Sequence, residues 1–570
     1  MNTCASEADC RHTMPANRQV QNKKVPRQGI LLINSELGEA FRQLGHSVHS
    51  VSLPKHGVFA AQDILAACPF EPELFFQQEH LGAMVLFNDL NSVSCVKAFW
   101  SIDTHLNYYW QRFYGRLFDV FFTPHKAYMG ALAEEWLHPA MHRLAKPGVQ
   151  RPWTPHAERK STMEFVGRMS ANRPLRNNFC ALLKKRYGIE AKRDLSHQAM
   201  MDLYAATRLL PNESIALETN FRLVEGASCG CCLISPDIGE DQDTLFSPGK
   251  EFFVYRDALE LVDCLDACLR DPAMAEAAGN AAWMRVNAEH LPRHRAQSVC
   301  DALETSGRQA VHGDEAADCL AMTLGFIHLN GIVTGNAFFA AAEKHFKSAP
   351  LLCTIRIWDA VKRGDMERTR LLLTEAESLF QIRNAARNDL GTLAVAGGGA
   401  ALFAGNLEQS FFFYQHYEQL YGRQARAAAH TPVELCLAWG SSLAGDKKLI
   451  AHGHQTFPGC CCSAFDMNML LAHLDPRGAD WAKTLHDIEH LRHSMPHIDL
   501  IALARLGLNA QESIDASLEY IEGALRLCDI DRARAELLAL TGRAQAYGIM
   551  PQLQRLLRAR FPRLDLLDEL

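Results

Sequence analysis

The sequence has no run approaching the roughly 18 consecutive apolar residues that a membrane-spanning helix requires, so a membrane span is not expected. It also lacks a basic excess: 58 Lys and Arg face 65 Asp and Glu, for a formal charge of -7. That balance argues against a nucleic-acid binder working through a broad basic face. Paired CxxC spacing is missing as well, although 18 cysteines are present. Cys229, Cys231 and Cys232 crowd together, as do Cys460, Cys461 and Cys462, which is wrong for a tetrahedral site, and no metal is expected. The opening stretch, residues 1–27, is polar and lacks the apolar core of a secretory signal. It reads as a disordered tail, and with reduced, scattered thiols the expected compartment is the cytoplasm.

What is present is an ordinary globular composition, 48% hydrophobic and 22% charged, in a chain too long for one core. Residues 29–33 (GILLI) form an apolar run typical of a buried parallel strand, followed by helix SELGEAFRQLG and strand HSVHSVSL. Helix AAQDILAAC, strands ELFFQQ and CVKAFWSI, an aromatic helix from about residue 105 to 118, and strand DVFFTP continue the series. Residues 145–162, with three prolines, read as an interdomain linker. A second series opens with strand MEFVG (163–167) and runs through helices, strand RLLPN and the stretch 220–295. Alternating β and α elements imply right-handed βαβ units and parallel sheets. The expected fold class is therefore α/β, with two tandem Rossmann-like domains at 28–157 and 158–304.

From 305 to 570 strand signals nearly vanish. GDMERTRLLLTEAESLF from Gly364 and GNLEQSFFFYQHYEQLY from Gly405 align without gaps, 41 residues apart. A weaker copy starts at Cys528, a further 123 residues on, and GDKK at 445 and HDIE at 486 fall near intermediate phases. The pattern fits an all-α helical-repeat (TPR-like) array; an irregular helical bundle is the competing reading.

Three groups of residues carry candidate chemistry. Glu225, read as the opening carboxylate of helix LVEGASCG, can accept both hydroxyls of a ribose, or can simply offset the helix dipole. Arg168 and Arg173, in GRMSANRP after a predicted strand, sit where open α/β sheets bind ligands and suit a diphosphate; Arg222 is a further cation. Asp103 and His105, in WSIDTHLN, lie where a general base is wanted, with helix capping by Asp103 or Thr104 as the alternative.

These motifs together resemble the CgeB-like (spore-maturation type) glycosyltransferases of bacteria, which have the GT-B fold. The resemblance rests on N-x-R-x-x-E-x-x-x-C-G (Asn220, Arg222, Glu225, Cys229, Gly230) and a closing E-H-x-x-x-H-R (Glu289, His290, His294, Arg295). FVGRMSANRP and WSIDTHLN share it, over residues 29–300. It implies a nucleotide-sugar donor on the second domain and an unknown acceptor, protein or glycan, facing the first. Asn220, Arg222 and Glu225 would then line the donor site, with Arg168 and Arg173 facing the diphosphate. Asp103 or His105 would be the base, no cofactor or metal would be needed, and the helical array would recruit an acceptor or partner protein. Two departures stand out: six rather than seven residues separate Glu218 from Glu225, and GRMSANRP carries no lysine. A non-catalytic helical scaffold and a nucleotide-sugar epimerase are the alternatives. His290 and His294 read as a solvated helix end.

Overall fold

The computed structural model describes residues 28–126, 129, 138–169, 174–214, 218–329, 340, 343–382, 384–422 and 514–570. The tail 1–27, Arg173, the weak repeats near 445 and 486 and the cysteines at 460–462 lie outside the described residues.

The first sheet contains β1 (Gly29–Ile33), β2 (Ser47–Val51), β4 (Leu74–Gln78), β6 (Val96–Trp100), β7 (Val120–Thr123) and β8 (Met141–Arg143). All pair in parallel, in the order β2-β1-β4-β6-β7-β8. The apolar runs alternate between two buried faces, as the twofold period of a strand demands. Leu31, Ile33, Phe75 and Phe99 enter one core cluster, while Ile30, Leu32, Phe76 and Trp100 enter another. Two further strands, β3 (Gly57–Phe59) and β5 (Val85–Phe87), form a small parallel pair of their own. Like β8, they are three residues long, too short to show a period.

The second sheet holds β9 (Ser161–Met163), β10 (Thr207–Pro211), β11 (Cys232–Pro236) and β12 (Phe253–Tyr255), parallel and ordered β12-β11-β10-β9. The strand expected at 163–167 lies earlier; beyond it Val166 bridges to Lys192. Helix α6 (Phe221–Ser228) leads into β11. Gly226 allows that approach, since a Cβ there would lie 2.5 Å from Leu210 and 2.8 Å from Leu233.

The segment expected as an interdomain linker runs between the two sheets as a strap clamped by hydrogen bonds: Gly148 N donates to His290 O at 2.7 Å and Val149 N to Ser228 Oγ at 2.9 Å. Trp283 Nε1 donates to Arg151 O, and the Arg159 guanidinium donates to the carbonyls of Thr154, Thr207 and Cys229. Prolines remove backbone donors and fix φ, which serves an extended strap as well as a loose linker. The solvated helix end expected at His290 and His294 is corrected for His290, while His294 is half-buried and Glu289 exposed. His290 is buried, bonded to Leu245 O and to Arg295, and burial pushes its imidazole down to about 4. Arg295 donates to Ala145 O at 2.7 Å, fixing the strap to helix α10 (Pro292–Ser306). That helix returns to the first domain, burying Ala296, Val299 and Cys300 against Ile30, Leu32 and Trp100. Fully burying one such valine contributes about 1.5–3 kcal/mol.

Beyond α10, antiparallel helix pairs follow: Ala349–Lys362 with Met366–Leu379, Arg387–Phe403 with Leu407–Leu420, and Ile514–Arg526 with Ile530–Ala546. The repeat motif proves to be turn geometry. Gly364, Gly405 and Cys528 take φ of 69°, 73° and 57°, and the next residue (Asp365, Asn406, Asp529) caps the following helix. The Cys528 copy thus keeps the left-handed turn without glycine.

Candidate functional site

In the first sheet the chain leaves β1 toward β2 and β4 toward β6, so the loops diverge and open a crevice at their carboxyl ends. Asn34 starts the first loop at φ 54°, its side chain clamping Leu53 through both amide atoms. Glu36 N then donates to Gln78 Oε1, tying this loop to the end of β4. Across the crevice stands α6, and between them lies a cavity of about 620 Å³. Glu36 and Gln43 line its first-domain side, His197 and Glu225 its second-domain side, and residues 147–150 of the strap pass between.

The sequence places Glu225 at a helix start; in the structure α6 begins at Phe221, and Glu225 lies in its second turn. The dipole alternative loses its basis, because that effect fades beyond the first turn. Glu225 is 7% exposed. Its Oε1 accepts from His197 Nε2 at 3.0 Å, and among the described residues nothing hydrogen-bonds its Oε2. Burial raises its carboxyl above the usual range, opposed by His197, Arg222 and Lys146. Glu36 is raised too, by loss of water and then by the Glu225 charge.

Asn220 and Arg222 do not meet the cavity as expected for donor ligands. Asn220 is the N-cap: Oδ1 accepts from Leu223 N, while Nδ2 donates to Asn212 Oδ1 and Glu213 O. The buried Arg222 guanidinium donates to Val166 O at 2.8 Å and Asn212 Oδ1 at 2.7 Å, and lies 4.4 Å from the Phe165 ring. A guanidinium engaged on this many partners is part of the scaffold; both residues position α6. Arg168 is exposed on the loop after Val166, its carbonyl held by Arg176 NH1. Glu218 is buried, with Oε2 accepting from Ser214 Oγ at 2.5 Å.

In the first domain, helix α3 (Thr104–Tyr114) has Asp103 at its N-cap position. Glu79, at the end of β4, accepts from Ile102 N at 2.6 Å and Asp103 N at 2.9 Å. Asp103 pairs with Lys146 Nζ at 3.2 Å. That ammonium also lies 4.3 Å from the Phe221 ring at the start of α6. The strap thereby joins a first-domain carboxylate to the start of a second-domain helix. His105 follows in α3, and its side chain lies outside the described set.

Lys146, His197, Glu36 and Glu79 were missed by sequence reasoning. Lys146 and His197 carry no motif signal, one sitting in a proline-rich stretch and one among helix formers. Glu36 follows the carboxyl end of β1, where the strand-end rule that selected Arg168 would also have found it.

Among the described residues no helix is long and apolar enough to cross a membrane. Residues 155–301 match the family described as "Glycosyl transferase-like", a span that takes in the second sheet, α6 and much of α10. No curated protein matches the chain. Similar solved structures include sucrose-phosphate synthase from Thermosynechococcus elongatus, 12% identical, covering 49% of this chain and 98% of its own, with TM-score 0.36. HepE from Anabaena in complex with UDP and glucose is 12% identical, with 49% and 100% coverage and TM-score 0.33. A glycosyltransferase from Rickettsia africae is 12% identical, with 49% and 100% coverage and TM-score 0.34.

Proposed function

We propose that the chain is a glycosyltransferase that takes its sugar from a nucleotide-diphosphate donor held in the interdomain cleft. One observation carries the reading: within the family-matched segment, a buried glutamate lines a cavity of about 620 Å³ with one carboxylate oxygen that has no hydrogen-bond partner among the described residues. An ionised carboxylate there suits the vicinal hydroxyls of a ribose. Within the class, Asn220, Arg222, Glu225, Cys229 and Gly230 favour a CgeB-like assignment.

Transfer builds negative charge on the departing diphosphate. Arg168, from the loop after Val166, and Arg173, five residues on in the sequence, would stabilise it where it develops. If the anomeric centre inverts, Asp103, held by Lys146 Nζ at 3.2 Å, takes the proton of the acceptor hydroxyl. His105 is the other candidate base. The left-handed turns shared by Gly364, Gly405 and Cys528 support a TPR-like array offering a surface to a protein acceptor or partner.

A second reading, a non-catalytic scaffold, draws on Glu218, which is bonded to Ser214 rather than turned to the cleft. Incubating the full chain with a panel of UDP-, GDP-, ADP- and CMP-sugars separates the two. Slow release of free sugar and nucleotide, abolished in Asp103→Asn and Glu225→Ala, is expected. Tight nucleotide binding with no turnover on any donor or acceptor would favour the scaffold.

A further inference from the structure

His197 belongs to no motif and to no residue set assigned above, yet it makes the one side-chain contact seen on the Glu225 carboxylate among the described residues. It is the first residue of α5 (His197–Ala205), whose N-cap Ser196 accepts from Ala199 N through Oγ. The cap fixes the helix start, so the imidazole is carried into the cleft by its backbone rather than by packing. The His197 side chain is 63% exposed, while that of Glu225 is 10% exposed. The two line the same cavity.

An isolated buried carboxylate has two failings as a hydroxyl reader. It rotates about its last torsion, and the protein around it favours the neutral acid, which accepts hydrogen bonds poorly. A ring N–H on Oε1 remedies both, since it pins the plane of the carboxylate and favours its charge. Oε2, on a residue that lines the cavity, is left without a hydrogen-bond partner among the described residues. We infer that His197 and Glu225 act as a dyad that reads the ribose hydroxyls of the nucleotide, with His197 the positioning residue. The inference rests on the nucleotide-sugar reading of this cleft and goes beyond it, because it makes a specific residue outside the family motif responsible for ribose selectivity.

Calorimetric titration of the full chain with UDP, GDP, ADP and CDP, and with their 2′,3′-dideoxy counterparts, tests it. The wild type is expected to prefer the best-bound ribonucleotide over its dideoxy form by about ten- to hundredfold, the effect of a hydrogen bond to a charged group. In His197→Ala that preference should collapse to within about threefold, mainly through loss of ribonucleotide affinity. In His197→Gln, whose amide can still donate to Oε1, much of it should return. A merely structural role would weaken both nucleotides alike and leave the ratio unchanged. An unchanged ratio in His197→Ala, or tighter ribonucleotide binding, overturns the dyad while the Glu225→Ala control, having lost the preference, keeps the cleft assignment standing. A wild type that binds none of the nucleotides overturns the cleft assignment and the dyad with it.

Discussion

At the scale of single residues, the cleft is governed by what burial does to carboxylates. Glu225 is desolvated by its surroundings and held above the ordinary carboxylate range, with His197, Arg222 and Lys146 pulling the other way. Glu36 is raised in the same manner, partly by the Glu225 charge itself. The sign of the consequence is fixed. A raised folded pKa means that Glu225 takes up its proton at a higher pH than a free glutamate does, and the protonated form loses the acceptor that a ribose needs. Nucleotide affinity should therefore begin to fall, as the pH is lowered, before the reference glutamate value of about 4.3 is reached. Calorimetric titration at falling pH checks this; affinity that stays flat down to about pH 4.3 would show that Glu225 is not the acceptor. The Glu79 carboxylate illustrates the opposite use of a buried acid. It is raised by burial and by Asp103, yet two backbone N–H groups at the start of α3 bond to it. Its work is to fix the backbone where the chain enters α3.

At the scale of elements, the strap is the part that determines how the two domains meet. Gly148 passes where a Cβ would lie 2.6 Å from Val286, 2.8 Å from Ser228 and 3.3 Å from Val224. Gly148→Ala should consequently destabilise the protein by about 1–3 kcal/mol, the usual cost of forcing one carbon into a packed site. Urea unfolding monitored by circular dichroism measures it, and a change within about 0.5 kcal/mol, typical of a surface position, would contradict the clamped strap. The same segment shows what was legible in sequence and what was not. Strands such as 29–33 and 120–123 announce themselves, because a strand buried on both faces is a continuous apolar run. KPGVQRPWTP announces only that it is neither helix nor strand. Whether such a stretch is loose or clamped depends on carbonyls presented by Thr207, Cys229 and His290, far away in sequence. The site divides in the same way. Glu225 was visible through its motif, whereas its partner His197 and the Lys146–Asp103 pair exist through folding alone. Asn220 and Arg222 share the motif with Glu225, but the structure assigns them to shaping α6.

At the scale of the whole molecule, the helical region is built onto both α/β domains. Helix Gly313–Leu329 packs on α3, with the Phe113 and Phe326 rings 5.7 Å apart and Arg116 paired to Glu315. At the other end Asn178 donates to Leu527 O, Arg563 pairs with Asp263 and Glu260, and Arg186 reaches Glu569. One buried apolar cluster runs through both sheets and these helices. The exposed ion pairs contribute little; the shared core does the holding. Phe326→Ala should lower the stability of the α/β part together with the array by about 3–5 kcal/mol. Scanning calorimetry of the full chain is expected to show one transition moving down as a unit. Two separate transitions, with one unmoved, would make the array an independent appendage. The account as a whole turns on the cleft holding a nucleotide through Glu225, and one measurement addresses that directly: calorimetric titration of wild type and Glu225→Ala with UDP, GDP, ADP and CDP. The expected result is saturable binding of at least one of these to the wild type, weakened about ten- to hundredfold in the variant with the folded spectrum unchanged. Equal affinity in the two proteins, or no binding by the wild type, would contradict it.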